Sequence, residues 1–211
     1  MHAYARDLLF LTSNLKYMGV ALRNNDYLFS ILSLQRQLGR ELKKENKMKP
    51  ALLVIDIQNK FFSLNQACSD SLKSAIEYIN AAIDLFREKN LPIVVIQHKS
   101  EEEGLEPGKS GFDVPKSVKL EPKDIRIVKT YGNSFTKTGL AEKLRELEVD
   151  TVIVTGFCAE YCVLSTYRGA QDFDLTPIIL KGSLASDNAE HIRFVEEITE
   201  IISYGALKTL L

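Results

Sequence analysis

What this sequence has little of narrows its chemistry first. It carries three cysteines, an odd number in 211 residues. That count does not suit a disulfide framework and points to a reducing, cytoplasmic setting. Its three histidines, His2, His98 and His191, lie too far apart to form a recognisable metal-ligand motif. Neither sign of charge is in excess: 27 Lys and Arg against 28 Asp and Glu leave a formal net charge of -1. Such a balance lacks the basic footprint expected of a partner for nucleic acid or an anionic membrane. No uninterrupted apolar run is long enough to span a bilayer. Arg6, Asp7, Lys16 and Arg23 break up the early apolar stretch and no small-residue cleavage site follows, so no secretory signal is expected. Internal repeats and low-complexity segments are also absent. The hydrophobic (45%) and charged (26%) fractions are those of an ordinary globular protein.

Two stretches differ in pattern. Residues 1–47 read as an N-terminal extension with apolar clusters at Leu8–Leu11 and Leu28–Leu34 and a charged run from Arg40 to Lys47. Leu28, Ile31, Leu32, Gln35 and Leu38 have approximate helical spacing, which suits one or two amphipathic helices. Met48 as the true start, with a mis-called extension ahead of it, is the alternative. Residues 48–211 form the main domain, in which strand and helix patterns alternate.

Ala51–Ile55 and Ile93–Ile96 are continuous apolar runs, read as strands buried on both faces. Between them Leu72, Ile76, Ile79, Ile83 and Phe86 recur at helical steps, with Ser69 or Asp70 available as a cap. Lys99–Pro122 is a long polar connection, of the kind used for lids, binding loops or interface arms. Ile125–Val128 is a shorter strand, and Thr138–Glu148 a helix with Leu140, Leu144 and Leu147 on one face. Val152–Val154 begins a strand that ends at Gly156, and a helix follows from about Tyr161 to Gln171. Leu175–Leu180 is a strand despite Pro177, which suits its start or an edge. Asn188–Ile202 reads as a helix with Ile192, Val195, Ile198 and Ile202 inward, and Ala206–Leu211 as a last strand. The expected fold is three-layer α/β/α with a mostly parallel central sheet.

Three ionisable residues fall at or just beyond strand ends: Asp56, Lys129 and Cys162. In a parallel sheet those ends share one edge, so a carboxylate, an amine and a thiol can converge there. Together they make an acyl-transfer site: the thiol attacks, the carboxylate takes its proton, and the ammonium stabilises negative charge. The start of a helix would favour thiolate at Cys162. Singly, each has a plainer reading: Asp56 as a cap, Lys129 as a surface lysine, Cys162 as core.

The chain from about Lys49 onward resembles the isochorismatase-like cysteine hydrolases, the superfamily that includes nicotinamidases. Asp56-Ile57-Gln58-Asn59-Lys60-Phe61, Gln97-His98, Lys129 followed by Ser134-Phe135, and Gly156 through Cys162-Val163 to Thr166 and Ala170 carry the resemblance. It implies a catalytic triad of Asp56 as general base, Lys129, and Cys162 as nucleophile. It also implies an oxyanion hole from the backbone N–H groups of Cys158 and Cys162, behind a non-proline cis peptide at Phe157-Cys158. Gln58, Phe61, Phe135 and Tyr161 would contact substrate. Metal-binding nicotinamidases have an Asp-x-His pair near the first strand; here Gln58 replaces that histidine, and no second histidine follows His98 in the loop. The resemblance therefore implies no catalytic metal and no cofactor. The substrate class implied is a small amide, ureido or imide compound cleaved at a C–N bond, by a homodimer or homotetramer. Two alternatives stand beside this: a nicotinamidase that recruits a metal through His98 and Asp56, and a non-catalytic scaffold that binds a small molecule or partner. His98 also has a plainer reading, as a hydrogen-bonded structural residue.

Overall fold

A computed structural model describes residues 48–211. The expectations for residues 1–47 lie outside the described residues. Six strands form one sheet in the order β3-β2-β1-β4-β5-β6, and every pairing is parallel. They are β1 (Pro50–Ile55), β2 (Ile93–His98), β3 (Ile125–Lys129), β4 (Thr151–Phe157), β5 (Thr176–Ala185) and β6 (Ile201–Ile202). The chain steps outward from β1 to β2 and β3, then returns to lay β4 on the other side of β1. The strand order therefore reverses between β1 and β4, and the crevice at their carboxyl ends is where open α/β sheets bind ligands.

Alternation along the strands divides the core. Leu52 and Val54 face one layer; Ala51, Leu53 and Ile55 face the other. The first layer is covered by helices α1 (Gln66–Glu88) and α5 (Tyr204–Leu210); α2 (Leu140–Glu146), α3 (Leu164–Asp172) and α4 (Ala189–Glu197) cover the second. The three-layer expectation holds. Helix α1 buries Leu72, Ile76, Ile79, Ile83 and Phe86 along one face. Each such side chain contributes about 1.5–3 kcal/mol on full burial.

Several boundaries differ from those read in the sequence. Helix α1 starts earlier because Asn65, not Ser69 or Asp70, caps it: Asn65 Oδ1 accepts from Cys68 N at 2.8 Å. Strand β5 continues to Ala185 by passing through Gly182 at φ +85°, a conformation that favours glycine. Pro177 pairs with Val152 of β4 on one side only, since β6 reaches no further than Ile179 and Leu180. Helix α4 stops at Glu197, leaving Ile198 exposed and Ile202 in the short β6. The C-terminal segment is helix α5 rather than a strand, capped by Ser203 Oγ on Ala206 N. Leu147 lies beyond α2 and is exposed. The Lys99–Pro122 connection is tied down: Asn80 bonds Ser117 O and Lys119 N, Arg87 bonds Lys119 O, and Leu105, Phe112 and Val118 are buried.

Candidate active site

The site begins with a backbone crossing. Gly156 pairs with Ile55 in the β1-β4 register, and a Cβ there would lie 2.1 Å from Ile55 O. Only glycine permits that approach, and its φ of +121° is also closed to other side chains. Asp56, the next residue after β1, has φ +51°. This left-handed conformation costs an aspartate roughly 1 kcal/mol and is tolerated best by Asn and Asp among non-glycine residues. It turns the Asp56 carboxylate over the sheet edge as the chain leaves the strand.

Lys129 ends β3 and reaches across β2 to meet it. The ammonium lies 2.7 Å from Asp56 Oδ2, with both side chains essentially inaccessible to solvent at 0% and 1% exposure. It also donates to Tyr131 O at 3.1 Å and to Cys162 Sγ at 3.2 Å. The ammonium thus pairs with one carboxylate and donates two hydrogen bonds. Among the described residues neither Asp56 oxygen has a geometric hydrogen-bond partner, so the Lys129 ammonium is the group that links the carboxylate to the Cys162 sulfur. The three strand-end residues come together as expected, and Lys129 is buried rather than a surface lysine.

The thiolate expectation is reversed. Burial first, then the Asp56 charge, push the Cys162 thiol up to about 12, with Lys129 opposing. Burial likewise raises the Asp56 carboxyl above its usual range, while Lys129 and the thiol draw it back. Burial and the Asp56 charge together favour the protonated thiol over the thiolate at Cys162, beside a carboxylate made more basic by its surroundings.

The turn after β4 places Cys162. Phe157-Cys158 is a cis peptide, as the resemblance implied. Residues Ala159–Val163 form one π-helical turn in which Cys158 O accepts from Tyr161 N and Val163 N, both at 3.1 Å. The Cys162 N–H between them is not bonded to that carbonyl. Wide turns of this kind recur at functional sites because they displace one amide from the helical ladder.

The expected substrate contacts fare unevenly. Gln58 is wholly buried and turned to the backbone: its Nε2 donates to His98 O (3.1 Å) and Phe112 O (3.0 Å), and its Oε1 accepts from His98 N (2.8 Å). It is a clamp between β2 and the following loop, with no donor left for a substrate. Phe135 is buried and stacks on Phe173 at 5.1 Å, so it is core. Phe61 is half-buried against Phe157, ring centroids 4.7 Å apart. Tyr161 is 67% exposed beside Cys162. His98 has both main-chain groups in the Gln58 clamp, yet its buried Nδ1 has no hydrogen-bond partner. Burial and then Lys129 lower its pKa, which keeps the ring neutral.

These residues fit a metal poorly at Asp56. A fixed ammonium already occupies the carboxylate, and a second cation would meet its repulsion. Among the described residues the one trio of His and carboxylate ligand atoms within 4.8 Å of one another is Glu160, Asp187 and His191, which includes neither Asp56 nor His98.

The isochorismatase domain model matches residues 50–198. The chain belongs to the isochorismatase family. An isochorismatase family protein of Bacillus subtilis (strain 168), YrdC, described as uncharacterized, is 30% identical over 140 residues, 65% of this chain and 74% of YrdC. An isochorismatase-like hydrolase from Alkaliphilus metalliredigens superposes with a TM-score of 0.70 at 23% identity, over 76% of this chain and 98% of that one. N-carbamoylsarcosine amidase from Thermoplasma acidophilum gives 0.65 at 23% identity, over 74% and 96%. The structural likenesses establish the shared fold.

The Glu160, Ser186 and His191 cluster beside the turn was not foreseen. Its members are 26 and 31 residues apart along the chain, and no spacing links them.

Proposed function

We propose that this isochorismatase-family hydrolase cleaves a C–N bond of a small amide or ureido compound through a thioester on Cys162. The observation that carries the reading is the Lys129 ammonium in contact with both Asp56 and Cys162 at the strand-order reversal. Sγ attacks the carbonyl carbon while its proton passes to Asp56, so a thiolate need not exist beforehand. The carbonyl oxygen gains the negative charge, and the N–H groups of Cys158 and Cys162 receive it. Preorganised donors of this kind lower a barrier by about 3 kcal/mol each. Asp56 then returns the proton to the departing nitrogen as the C–N bond breaks, leaving the acyl group on sulfur. Water, losing a proton to Asp56, attacks the thioester; the acid product leaves and sulfur regains a proton. Throughout, Lys129 offsets whichever of Asp56 and Cys162 holds negative charge. Tyr161 and Phe61 are the aromatic side chains of this reading that stand nearest to solvent, and they would contact substrate.

The N-carbamoylsarcosine amidase that shares this fold supports the substrate class. The metal-assisted alternative is disfavoured by the Lys129 ammonium on Asp56 and by the saturated Gln58. The scaffold alternative leaves a half-buried thiol and a buried carboxylate, both held by one buried ammonium, without a use. All three cysteines are free, which is compatible with a reducing cytoplasmic setting, and no helix among the described residues is long and apolar enough to cross a membrane. Assembly as a homodimer or homotetramer belongs to the same reading; a monomer mass by light scattering would refute it. The test of function is a panel of small amides, ureido compounds and imides scored for ammonia release. Cys162→Ala should abolish release from any substrate found. Undiminished release would refute the nucleophile assignment.

A further inference from the structure

We propose that Glu160 is a positioning residue for this reaction: its carboxylate ties the oxyanion-donating turn to the segment after β5 through Cys158, Ser186 and His191. The inference rests on the reading of Cys162 as nucleophile and goes beyond the triad.

Glu160 sits inside the π-helical turn, two residues before Cys162, with its side chain only 13% exposed. Its Oε2 accepts from Cys158 Sγ at 3.0 Å. Its Oε1 accepts from Ser186 Oγ at 3.1 Å and from His191 Nδ1. Ser186 Oγ in turn accepts from Asn188 N at 3.2 Å, and Asn188 Nδ2 lies 3.3 Å from His191 Nε2. One carboxylate therefore joins the residue at which the chain leaves β4 to two residues beyond the end of β5. Burial alone would raise the Glu160 carboxyl, but donors from Cys158, its own N–H, His191 and Ser186 hold it below the usual range. It is therefore an ionised acceptor at neutral pH, which makes these hydrogen bonds charge-assisted.

The arrangement fixes the two ends of the oxyanion hole together. Cys158 presents one proposed donor and Cys162 the other, and between them the Cys158 carbonyl accepts from Tyr161 and Val163. The Cys158 side chain is buried, and its sulfur also lies 3.8 Å from Ser186 Oγ, so Glu160 and Ser186 together fix where the chain leaves β4. Oxyanion donors act only within a few tenths of an ångström of the developing charge, so a loosened turn loses rate without losing substrate. None of these side chains contacts the reacting carbonyl; Glu160 works through the main chain of its neighbours.

The proposal separates two reactions of the same sulfur. Alkylation of Cys162 by iodoacetamide forms an S–C bond and expels iodide with no oxyanion. Acylation by p-nitrophenyl acetate forms a thioester through a tetrahedral oxyanion and expels p-nitrophenolate. Full-length parent, Glu160→Ala and Glu160→Gln are compared in both, with Cys162→Ala as blank and peptide mapping to assign the sulfur. For Glu160→Ala we expect the saturating acylation rate to fall about ten- to a hundredfold, in the range of a partly lost donor. The half-saturating concentration and the alkylation rate at pH 9 should stay within about twofold. Glu160→Gln keeps an oxygen for Ser186 and His191 and should recover most of the acylation rate. Acylation by Glu160→Ala at the parent rate would overturn the proposal. So would an equal fall in acylation and alkylation, which would mark a general disordering of the turn. Should the parent itself fail to acylate at Cys162, the nucleophile reading falls and this inference falls with it, a result distinct from either Glu160 outcome.

Discussion

Replacing Lys129 by methionine removes a buried charge while keeping the side chain's length. In the parent its ammonium lies 2.7 Å from Asp56 Oδ2 with neither group reached by solvent. Two unit charges at that distance attract by roughly 6 kcal/mol at an effective dielectric constant of about 20. Breaking a buried pair by deleting one partner costs about 3–5 kcal/mol, because the survivor is left charged and unpaired. We expect K129M to lose about 4 kcal/mol at pH 8 in urea unfolding monitored by circular dichroism. The loss must depend on pH. The Asp56 carboxyl is already raised above the ordinary 3.8 by burial, and Lys129 draws it back. Without Lys129 it rises further. An acid whose folded pKa exceeds its unfolded one favours folding most below the unfolded value, and loses that contribution as pH rises through the folded value. The penalty should therefore be slight near pH 4 and full by about pH 8. Asp56→Asn suits the left-handed backbone at this position. The double variant D56N/K129M should accordingly be more stable at pH 8 than K129M by at least about 2 kcal/mol. A K129M penalty under about 1 kcal/mol at pH 8, or one unchanged between pH 4 and 8, would refute the reasoning.

Other variants test the parts that hold this pair. Gly156→Ala would drive a Cβ to 2.1 Å from Ile55 O. It should cost more than about 3 kcal/mol, seen as lost soluble yield or a large fall in melting temperature, with hydrolysis failing because Asp56 directly follows the displaced Ile55. Gln58→Leu strips His98 N, His98 O and Phe112 O of a partner. We expect it to lower unfolding free energy by about 2–4 kcal/mol, and a neutral outcome would contradict the clamp. With the Cys162 thiol pushed up to about 12, its alkylation at pH 7 should be slower than that of a free thiol and keep rising beyond pH 10. A plateau near pH 8 would show an ordinary cysteine.

The strands were legible because each of β1, β2 and β4 is buried on both faces, so its apolar run has no polar interruption. Strand β5 was half visible: Lys181, Gly182 and Ser183 broke the run, although the backbone continues through Gly182. The C-terminal Ala206–Leu211 could be read either way, because a short apolar run does not separate strand from helix. Ser203, as cap, decides it. The convergence of Asp56, Lys129 and Cys162 followed from parallel topology alone. Their protonation did not, since it depends on burial and on the Asp56 charge beside the thiol, neither visible along the chain. Gln58 and Phe135 sit near the strand ends that form the site, but their atoms are spent on the Phe112 loop and on Phe173. Proximity in a motif does not say which way a side chain faces.

The central claim is that Cys162 carries the substrate's acyl group. Its most direct test is acid quenching during turnover of a responsive amide, followed by intact-mass and peptide mass spectrometry. The account predicts a mass increase equal to the acyl fragment, located on Cys162 and absent from Cys162→Ala. Full turnover by Cys162→Ala with no adduct on the parent would contradict it.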